Sequence, residues 1–254
     1  MHVEAISNGM GSQSVYLLVL AIEGHIECDV SVSADTGSEN DRVWSTGERT
    51  SSKEYFERVI YPLATKNGID AVFVRAKDKD GQELPAIVDL LKKGKTAGVP
   101  LFGDNGGRLN QSCTSKYKIR AVRQELRKIG AKTARVALGL TVSEVERIKP
   151  SDVKWCENYW PLVEFGVYRS EIQARLTQAG IPFLLSTECD FCPHKDKARW
   201  DRTARDMIDE IEKIEDGLPG LFFTSNRIPI KESIKKQNSG QLEFGCDDGG
   251  YCWV

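Results

Sequence analysis

Apolar and polar residues follow one another along the N-terminal half of the chain with two different periods. Runs at 3–6, 28–34 and 70–76 alternate or stay apolar over a few residues, which is typical of buried strands. Segments at 14–23 and 51–66 instead carry apolar residues three and four positions apart, which predicts helices with one buried face. Because strands and helices follow one another in turn, this half of the chain is predicted to form βαβ units.

The same patterns continue less regularly toward the C-terminus. They predict these further elements: helices at 83–91, 115–129 and 195–214, and a buried strand at 134–140. Alternation of strands with helices indicates an α/β fold. We expect a Rossmann-like, doubly wound and mostly parallel sheet with helices on both faces.

Two stretches lack a periodic pattern. Residues 92–110 are rich in glycine and are interpreted as a loop or lid on the active-site side. Periodicity is lost after Gly217, and residues 239–254 are interpreted as a poorly ordered tail. We therefore divide the chain into an α/β domain, 1–183, and a C-terminal extension, 184–254, that contains helices and cysteines.

The composition fits a globular chain without a strong preference for a charged partner. The 254 residues are 40% hydrophobic, enough for a full core, and the net charge of -2 gives no overall attraction to nucleic acid or membrane. The longest apolar run, 15–22, is shorter than the roughly 20 residues that cross a bilayer. A soluble cytoplasmic protein is expected, whose seven cysteines serve metal binding, catalysis or burial rather than disulfides.

The turn between the first strand and the first helix has the sequence SNGMGSQS, residues 7–14. Small residues in such a turn expose backbone N–H groups at the positive end of the helix dipole, where phosphate binds. The turn matches neither the Walker A loop nor the dinucleotide-binding fingerprint. The alternative is an ordinary turn that uses glycine for its backbone angles and Ser14 as the helix N-cap.

The second strand ends in a polar segment, ADTGSEN, residues 34–40. Neighbouring parallel strands end at the same edge of a doubly wound sheet, so this segment is expected to lie beside the first turn. Together the two segments resemble the PP-loop ATP pyrophosphatase superfamily, specifically its phosphoadenylyl-sulfate (PAPS) reductase-like branch of adenine nucleotide alpha hydrolase-like proteins. The usual loop there is S-G-G-x-D-S, and this chain departs from it: Asn8 replaces the first glycine and the loop aspartate is missing.

Four later segments continue the resemblance in the expected order: CTSKYKIRAVRQEL at 113–126, LGLTVSEVERI at 138–148, YWPLVE at 159–164 and ECDFCPHK at 188–195. The resemblance implies ATP and Mg²⁺ as cofactors, and it assigns Asp35 and Cys113 to catalysis. The residues that it assigns to the nucleotide are Ser7, Asn8, Gly9, Gly11, Ser12, Gln13, Ser14, Asp35, Thr36 and Gly37. A carboxylate beside phosphate is repulsive unless a cation bridges the two, which agrees with Mg²⁺ near Asp35.

Cysteines suggest a second centre. Cys189 and Cys192 form a C-x-x-C followed by proline, a turn that directs two thiolates at one metal. The resemblance brings Cys113 to the same edge of the sheet as the third ligand, and it favours a [4Fe-4S] cluster, with Zn²⁺ or plain reduced thiols as alternatives. The candidates for a fourth ligand are Cys246, Cys252 and His194, and the alternative is that the protein supplies no fourth ligand.

Positive charge is concentrated in one predicted helix. Between residues 113 and 135 there are eight lysines and arginines and one acidic residue. Helical spacing aligns Lys116, Arg120, Arg123 and Arg127 on one face, which predicts contact with the phosphates of a nucleic acid. A solvated helix face is the alternative.

The function favoured by these features is modification of a nucleic acid or nucleotide by an ATP-dependent, pyrophosphate-releasing enzyme. Such enzymes adenylylate an oxygen of the substrate, and we expect sulfur insertion, with a sulfur-donor protein as a further partner. The first alternative is a PAPS or adenylyl-sulfate reductase that releases sulfite, although the tail EFGCDDGGYCWV lacks the usual E-C-G motif. The second alternative is a non-catalytic nucleotide-binding module.

Overall fold

The computed structural model of the chain describes residues 1–237. Its strands, in chain order, are β1 His2–Ser7, β2 Val30–Asp35, β3 Arg42–Val43, β4 Arg49–Thr50, β5 Asp70–Arg75, β6 Phe102–Gly103, β7 Thr133–Ala137, β8 Cys156–Tyr159 and β9 Leu221–Phe222. Five of them form a parallel sheet in the order β5-β2-β1-β7-β8. This order confirms the predicted α/β, Rossmann-like sheet. The tail predicted to be poorly ordered, with Cys246 and Cys252, lies outside the described residues.

Helices surround this sheet. They are α1 Ser12–Ile22, α2 Ser52–Tyr55, α3 Tyr61–Thr65, α4 Ile87–Leu91, α5 Arg120–Lys128, α6 Pro161–Glu164, α7 Arg169–Gln178, α8 Lys197–Arg202, α9 Arg205–Asp216 and α10 Ile230–Gln237. Two π-helical segments, Phe56–Ile60 and Thr114–Ile119, continue into α3 and α5, and Val142–Arg147 is a 3-10 helix. Among the described residues, no helix has both the length and the apolar character needed to cross a bilayer.

The predicted helix at 195–214 is wrong in one respect, because the chain forms two helices there. Thr203 and Ala204 are extended between α8 and α9. The Thr203 hydroxyl donates to the carbonyl of Arg199 at 3.0 Å, and the Ala204 N–H donates to Asp41 at 2.9 Å. A side chain that bonds the backbone locally competes with a helix, and here a tertiary hydrogen bond also replaces the helical one.

Three apolar clusters build the core. One lies between the sheet and α1, α3 and α7, and another between the opposite sheet face and α5. A third combines residues of α4 and of the segment 97–121 with Phe191, Trp200 and the inner face of α9. Residues from both sides of the predicted boundary at 183/184 therefore share one cluster.

Candidate functional site

The turn after β1 is shaped by a side chain where the superfamily pattern has a glycine. Met10 adopts a left-handed backbone conformation, with φ at 63°, and its side chain is buried, with 2% of its surface exposed. The Asn8 side chain accepts a hydrogen bond from the Met10 N–H at 2.8 Å and donates to the Ser31 hydroxyl on β2 at 3.1 Å. Asparagine is suited to such a turn because its side chain bonds the backbone two residues on. Asn8 thus fixes the turn and ties it to the neighbouring strand.

The first turn of α1 presents unused backbone donors. Gly11, and not Ser14, is the N-cap; it is extended and no side chain caps the helix in the described structure. The first N–H groups of a helix have no partner within it, so those of α1 point out of its N-terminal end. Gly139 allows close approach there, since a Cβ at this position would lie 3.0 Å from the Ser14 nitrogen.

A cavity of about 100 Å³ lies at this end of α1. It is bounded by the turn after β1 on one side and by residues 138–140, after β7, on the other. In the sheet order, β1 and β7 are the neighbours between which the connections change direction. This topological switch point is where open α/β sheets bind ligands.

Charged side chains complete the wall of this cavity, which we call the loop cavity. They are Glu144, Arg147, Arg169, Glu188 and Arg199. Glu144 contacts both Gln13 and Arg147, and its carboxylate caps the 3-10 helix at Thr141. Glu188 is 7% exposed, and its Oε1 lies 3.8 Å from Arg199 Nε but accepts no hydrogen bond within residues 1–237. Three cations against two carboxylates leave the wall positive.

Ser7 is the residue that fits a ligand most directly. Its side chain is 4% exposed and lines the loop cavity. The Ser7 hydroxyl makes no hydrogen bond to any described residue. A buried polar atom without a partner is unfavourable unless a ligand or water completes it. The geometry therefore suits an oxyanion that accepts hydrogen bonds from Ser7 and from the start of α1.

The other predicted nucleotide residues divide between two places. Ser7, Gly9, Gly11, Ser12, Gln13 and Ser14 line the loop cavity, whereas Asn8 acts behind it. Asp35 and Gly37 are not among the described residues that line it. Asp35 accepts a hydrogen bond from the Gly37 N–H at 2.6 Å and forms an ion pair with Arg75. Arg75 balances Asp35 and Arg147 pairs with Glu144, so Glu188, whose Oε1 accepts no hydrogen bond within residues 1–237, is the carboxylate placed to face a cation in the cavity.

The three predicted cysteine ligands line one cavity. Cys113, Cys189 and Cys192 surround a space of about 20 Å³, together with Thr36, Lys118 and His194. The Cys189 sulfur lies 3.6 Å from the Thr36 hydroxyl and 3.9 Å from Glu39. Residues 1–237 contain no group of three or more His, Cys, Asp or Glu side chains arranged to hold a metal ion. The three predicted cysteines thus line one cavity, and their role as metal ligands stays a prediction.

His194 lines this cysteine cavity and is influenced by arginines of the loop cavity. Its ring lies 2.9 Å from Arg108 Nη2 and 3.0 Å from Gln111 Oε1. Burial, and then the positive charges of Arg108, Arg147 and Arg199, lower the pKa of His194 to about 4. The imidazole is therefore neutral at physiological pH, and two of the cations responsible belong to the loop cavity.

A buried ion pair, which sequence reasoning missed, holds the C-x-x-C turn. Asp190, inside the motif, accepts hydrogen bonds from the backbone N–H groups of Asn40 and Asp41 at 2.9 and 3.2 Å and from Arg42 at 2.9 Å. Arg42 is 1% exposed. Burial lowers the pKa of Arg42, but the carboxylates of Asp190, Glu39 and Glu188 raise it overall. The only sequence signal was the acidic residue inside the motif.

The predicted basic stripe is partly used inside the molecule. Arg123 forms an ion pair with Asp152 and donates to the Ser151 hydroxyl at 3.1 Å. Arg127 donates to the Ala131 carbonyl at 2.8 Å. Arg120, Arg123 and Arg127 line a cleft of about 780 Å³, whereas Lys116 is not among its lining residues. Part of the basic stripe is therefore used in contacts within the protein, and part of it faces a cleft.

No protein-family model matches the chain, and no curated protein matches its sequence. The class that the structure defines is a doubly wound α/β protein with a cavity at the topological switch point of its sheet. The resemblance to the PP-loop superfamily rests on the order of the motifs.

Proposed function

We propose that the chain is an ATP-dependent enzyme that adenylylates an oxygen of a nucleic acid or nucleotide and then allows a sulfur nucleophile to replace it. The observation that carries the proposal is the buried Ser7 hydroxyl, without a partner among the described residues, beside the uncapped start of α1. Hydroxyl and backbone donors at a helix N-terminus are the groups that bind phosphate. The resemblance to the PP-loop superfamily supports ATP as the source of that phosphate.

The reaction assigns simple roles to the loop cavity. An acceptor oxygen attacks the α-phosphorus of ATP, the bond to the β-phosphate breaks, and pyrophosphate leaves with its electron pair. Hydrosulfide released by a donor protein then attacks the carbon that carries the adenylylated oxygen: a carbon–sulfur bond forms, the carbon–oxygen bond breaks, and AMP leaves with that oxygen and the electron pair. Arg147, Arg169 and Arg199 are placed to neutralise the charge that develops on the phosphates.

Mg²⁺ fits the carboxylates of the loop cavity better than it fits Asp35. Hard cations prefer oxygen ligands, and the unbonded Oε1 of Glu188 is such a ligand. When bound, Mg²⁺ would screen the phosphate charge, with Glu188 as the residue that holds it. Asp35, held by Arg75, then supports the turn at Gly37 instead.

The cysteine cavity does not fit a four-iron cluster in this arrangement. A space of about 20 Å³ holds roughly one water-sized sphere, so a cluster does not fit, and residues 1–237 hold no group of three or more ligand side chains arranged for a single metal ion. We assign no step of the reaction to a metal at the cysteines. The predicted catalytic role of Cys113 stays a proposal, in which its sulfur serves transfer rather than ligation.

Exchange of Ser7 for alanine tests the nucleotide site. Hydrogen bonds to charged groups contribute about 1.5–3 kcal/mol, so Ser7→Ala is expected to weaken ATP binding about 10- to 100-fold in calorimetry. Thermal stability should be unchanged or slightly higher, because the substitution removes a buried hydroxyl that has no partner among the described residues.

Ser33 offers a matched control on the adjacent strand. Its hydroxyl is also buried and without a partner among residues 1–237, but Ser33 does not line the loop cavity. Ser33→Ala should therefore leave ATP affinity at the wild-type value. Equal ATP affinity in Ser7→Ala and Ser33→Ala, or no ATP binding by the wild type, would contradict the proposal.

A further inference from the structure

A cleft beside α5 differs in kind from the loop cavity. Its volume is about 780 Å³, and we call it the α5 cleft. One wall is α5, the opposite wall is the segment 149–155, and the floor is formed by strands β7 and β8. The apolar side chains of the floor and walls include Ile119, Val122, Val136, Leu138 and Trp155. The volume lies within the range of small-molecule sites, so a nucleotide unit fits.

Positive charge lines both walls of the cleft. Arg120 on α5 and Lys149 on the opposite wall make no ion pair or side-chain hydrogen bond within residues 1–237. Arg123 and Arg127 add two more cations, and Asp152, paired with Arg123, is the one acidic residue among those lining the cleft. Cations on both sides of an apolar floor match a ligand with a negative backbone and a flat apolar part.

Trp155 provides a place for the flat part. The Arg127 guanidinium lies 3.7 Å from the centre of the Trp155 ring, which fixes the plane of the indole. Aromatic rings and guanidinium planes are the surfaces on which unpaired bases stack. A base within a duplex cannot enter such a cleft, because both of its faces are already covered by its neighbours.

We propose that the α5 cleft binds single-stranded nucleic acid, with phosphates against Arg120 and Lys149 and an unpaired base beside Trp155. Ser7 lines both the α5 cleft and the loop cavity, so the two spaces meet at the end of β1. A base held in the cleft is therefore brought to the loop cavity as the acceptor. That last step rests on the proposed function, whereas binding of the strand does not.

Binding of labelled RNA and DNA strands of about 12 nucleotides tests the cleft, since sites for single strands span roughly 4–16 nucleotides. Fluorescence anisotropy without ATP should give a dissociation constant that rises with salt, with a log–log slope of about 0.7 per phosphate contacted. The double variant Arg120→Glu, Lys149→Glu should weaken binding at least 10-fold and reduce that slope by about 1.4. Comparison of RNA with DNA identifies which strand is preferred.

Lys66→Glu combined with Lys95→Glu is the matched control. Both lysines are exposed, lie outside the cleft and make no ion pair within residues 1–237, and the pair changes the net charge by the same amount as the cleft variant does. The control should bind the strand within about threefold of the wild type, because exposed charges more than about 10 Å away are screened. If the double charge reversal lowers the melting temperature, the milder Arg120→Gln, Lys149→Gln replaces it.

Tryptophan fluorescence gives a second readout. Stacking of a base on Trp155 should quench part of the emission on strand binding, and Trp155→Phe should abolish that part of the change while it keeps an aromatic ring. Equal losses in the cleft and control variants, duplex that binds as tightly as single strand, or unaltered quenching in Trp155→Phe would each overturn the inference. Strand binding without ATP binding would instead overturn only the proposed function.

Discussion

The loop cavity and the α5 cleft meet at Ser7, yet they are built in opposite ways. The loop cavity is about 100 Å³ and is shaped by backbone and by buried side chains, such as Ser7 and Glu188. The α5 cleft is about 780 Å³ and carries longer side chains, two of which, Arg120 and Lys149, have no internal ion pair within residues 1–237. Substitutions at the loop cavity therefore act on buried groups, whereas those in the cleft should alter binding alone.

The largest effect on stability is expected at the buried ion pair of Arg42 and Asp190. Arg42→Ala leaves the Asp190 carboxylate buried without its cation, which lowers the free energy of unfolding by about 3–5 kcal/mol. Urea denaturation monitored by circular dichroism measures the change. The exposed pair of Lys53 and Glu57 is the comparison, because Lys53→Ala should change stability by less than about 0.5 kcal/mol. Similar values for the two variants would remove the contrast between buried and exposed charges.

Substitution of two carboxylates tests which residue holds the Mg²⁺ ion. Glu188→Gln is expected to reduce the gain in ATP affinity that Mg²⁺ gives by about tenfold, or about 1.4 kcal/mol, because it removes an oxygen charge from the loop cavity. Asp35→Asn should leave that gain unchanged and lower stability by about 1 kcal/mol or less, since its partner is Arg75. Calorimetry with and without Mg²⁺ decides between them, and the opposite ranking would restore the sequence assignment of Asp35.

Local sequence patterns predicted most of the sheet because buried strands consist of short apolar runs that can be recognised in the sequence. The run at 3–6 falls within β1, the run at 70–76 covers β5 and one further residue, and the glycine-rich turn lies at the end of β1 as expected. Helices α7 and α10 were missed. In α7 the residues buried on its inner face, Ile172 and Leu176, are too few to give a clear period.

Contacts between residues far apart in the sequence explain which features of the site could not be predicted from local patterns. The Asp35 carboxylate follows a strand in a pattern that suggests a metal, but Arg75, forty residues later, neutralises it. Arg42 had no local signal at all, because its importance comes from a buried ion pair with Asp190, 148 residues later in the chain. The resemblance predicted that Cys113, Cys189 and Cys192 lie together; they line one cavity, but no group of three or more His, Cys, Asp or Glu side chains within residues 1–237 is arranged to hold a metal ion.

The smallest effect is expected at Lys116, which belongs to the predicted basic stripe but does not line the α5 cleft. Lys116 is exposed, lies one helical turn before Arg120, and has its ammonium 5.8 Å from the Tyr117 ring, outside the residues that line the cleft. Lys116→Glu should therefore weaken strand binding through its field alone, by less than Arg120→Glu at the same salt. Stability should change by less than about 0.5 kcal/mol. If Lys116→Glu and Arg120→Glu weaken binding equally across a salt titration, the strand follows the whole helix face, and the cleft does not define where it binds.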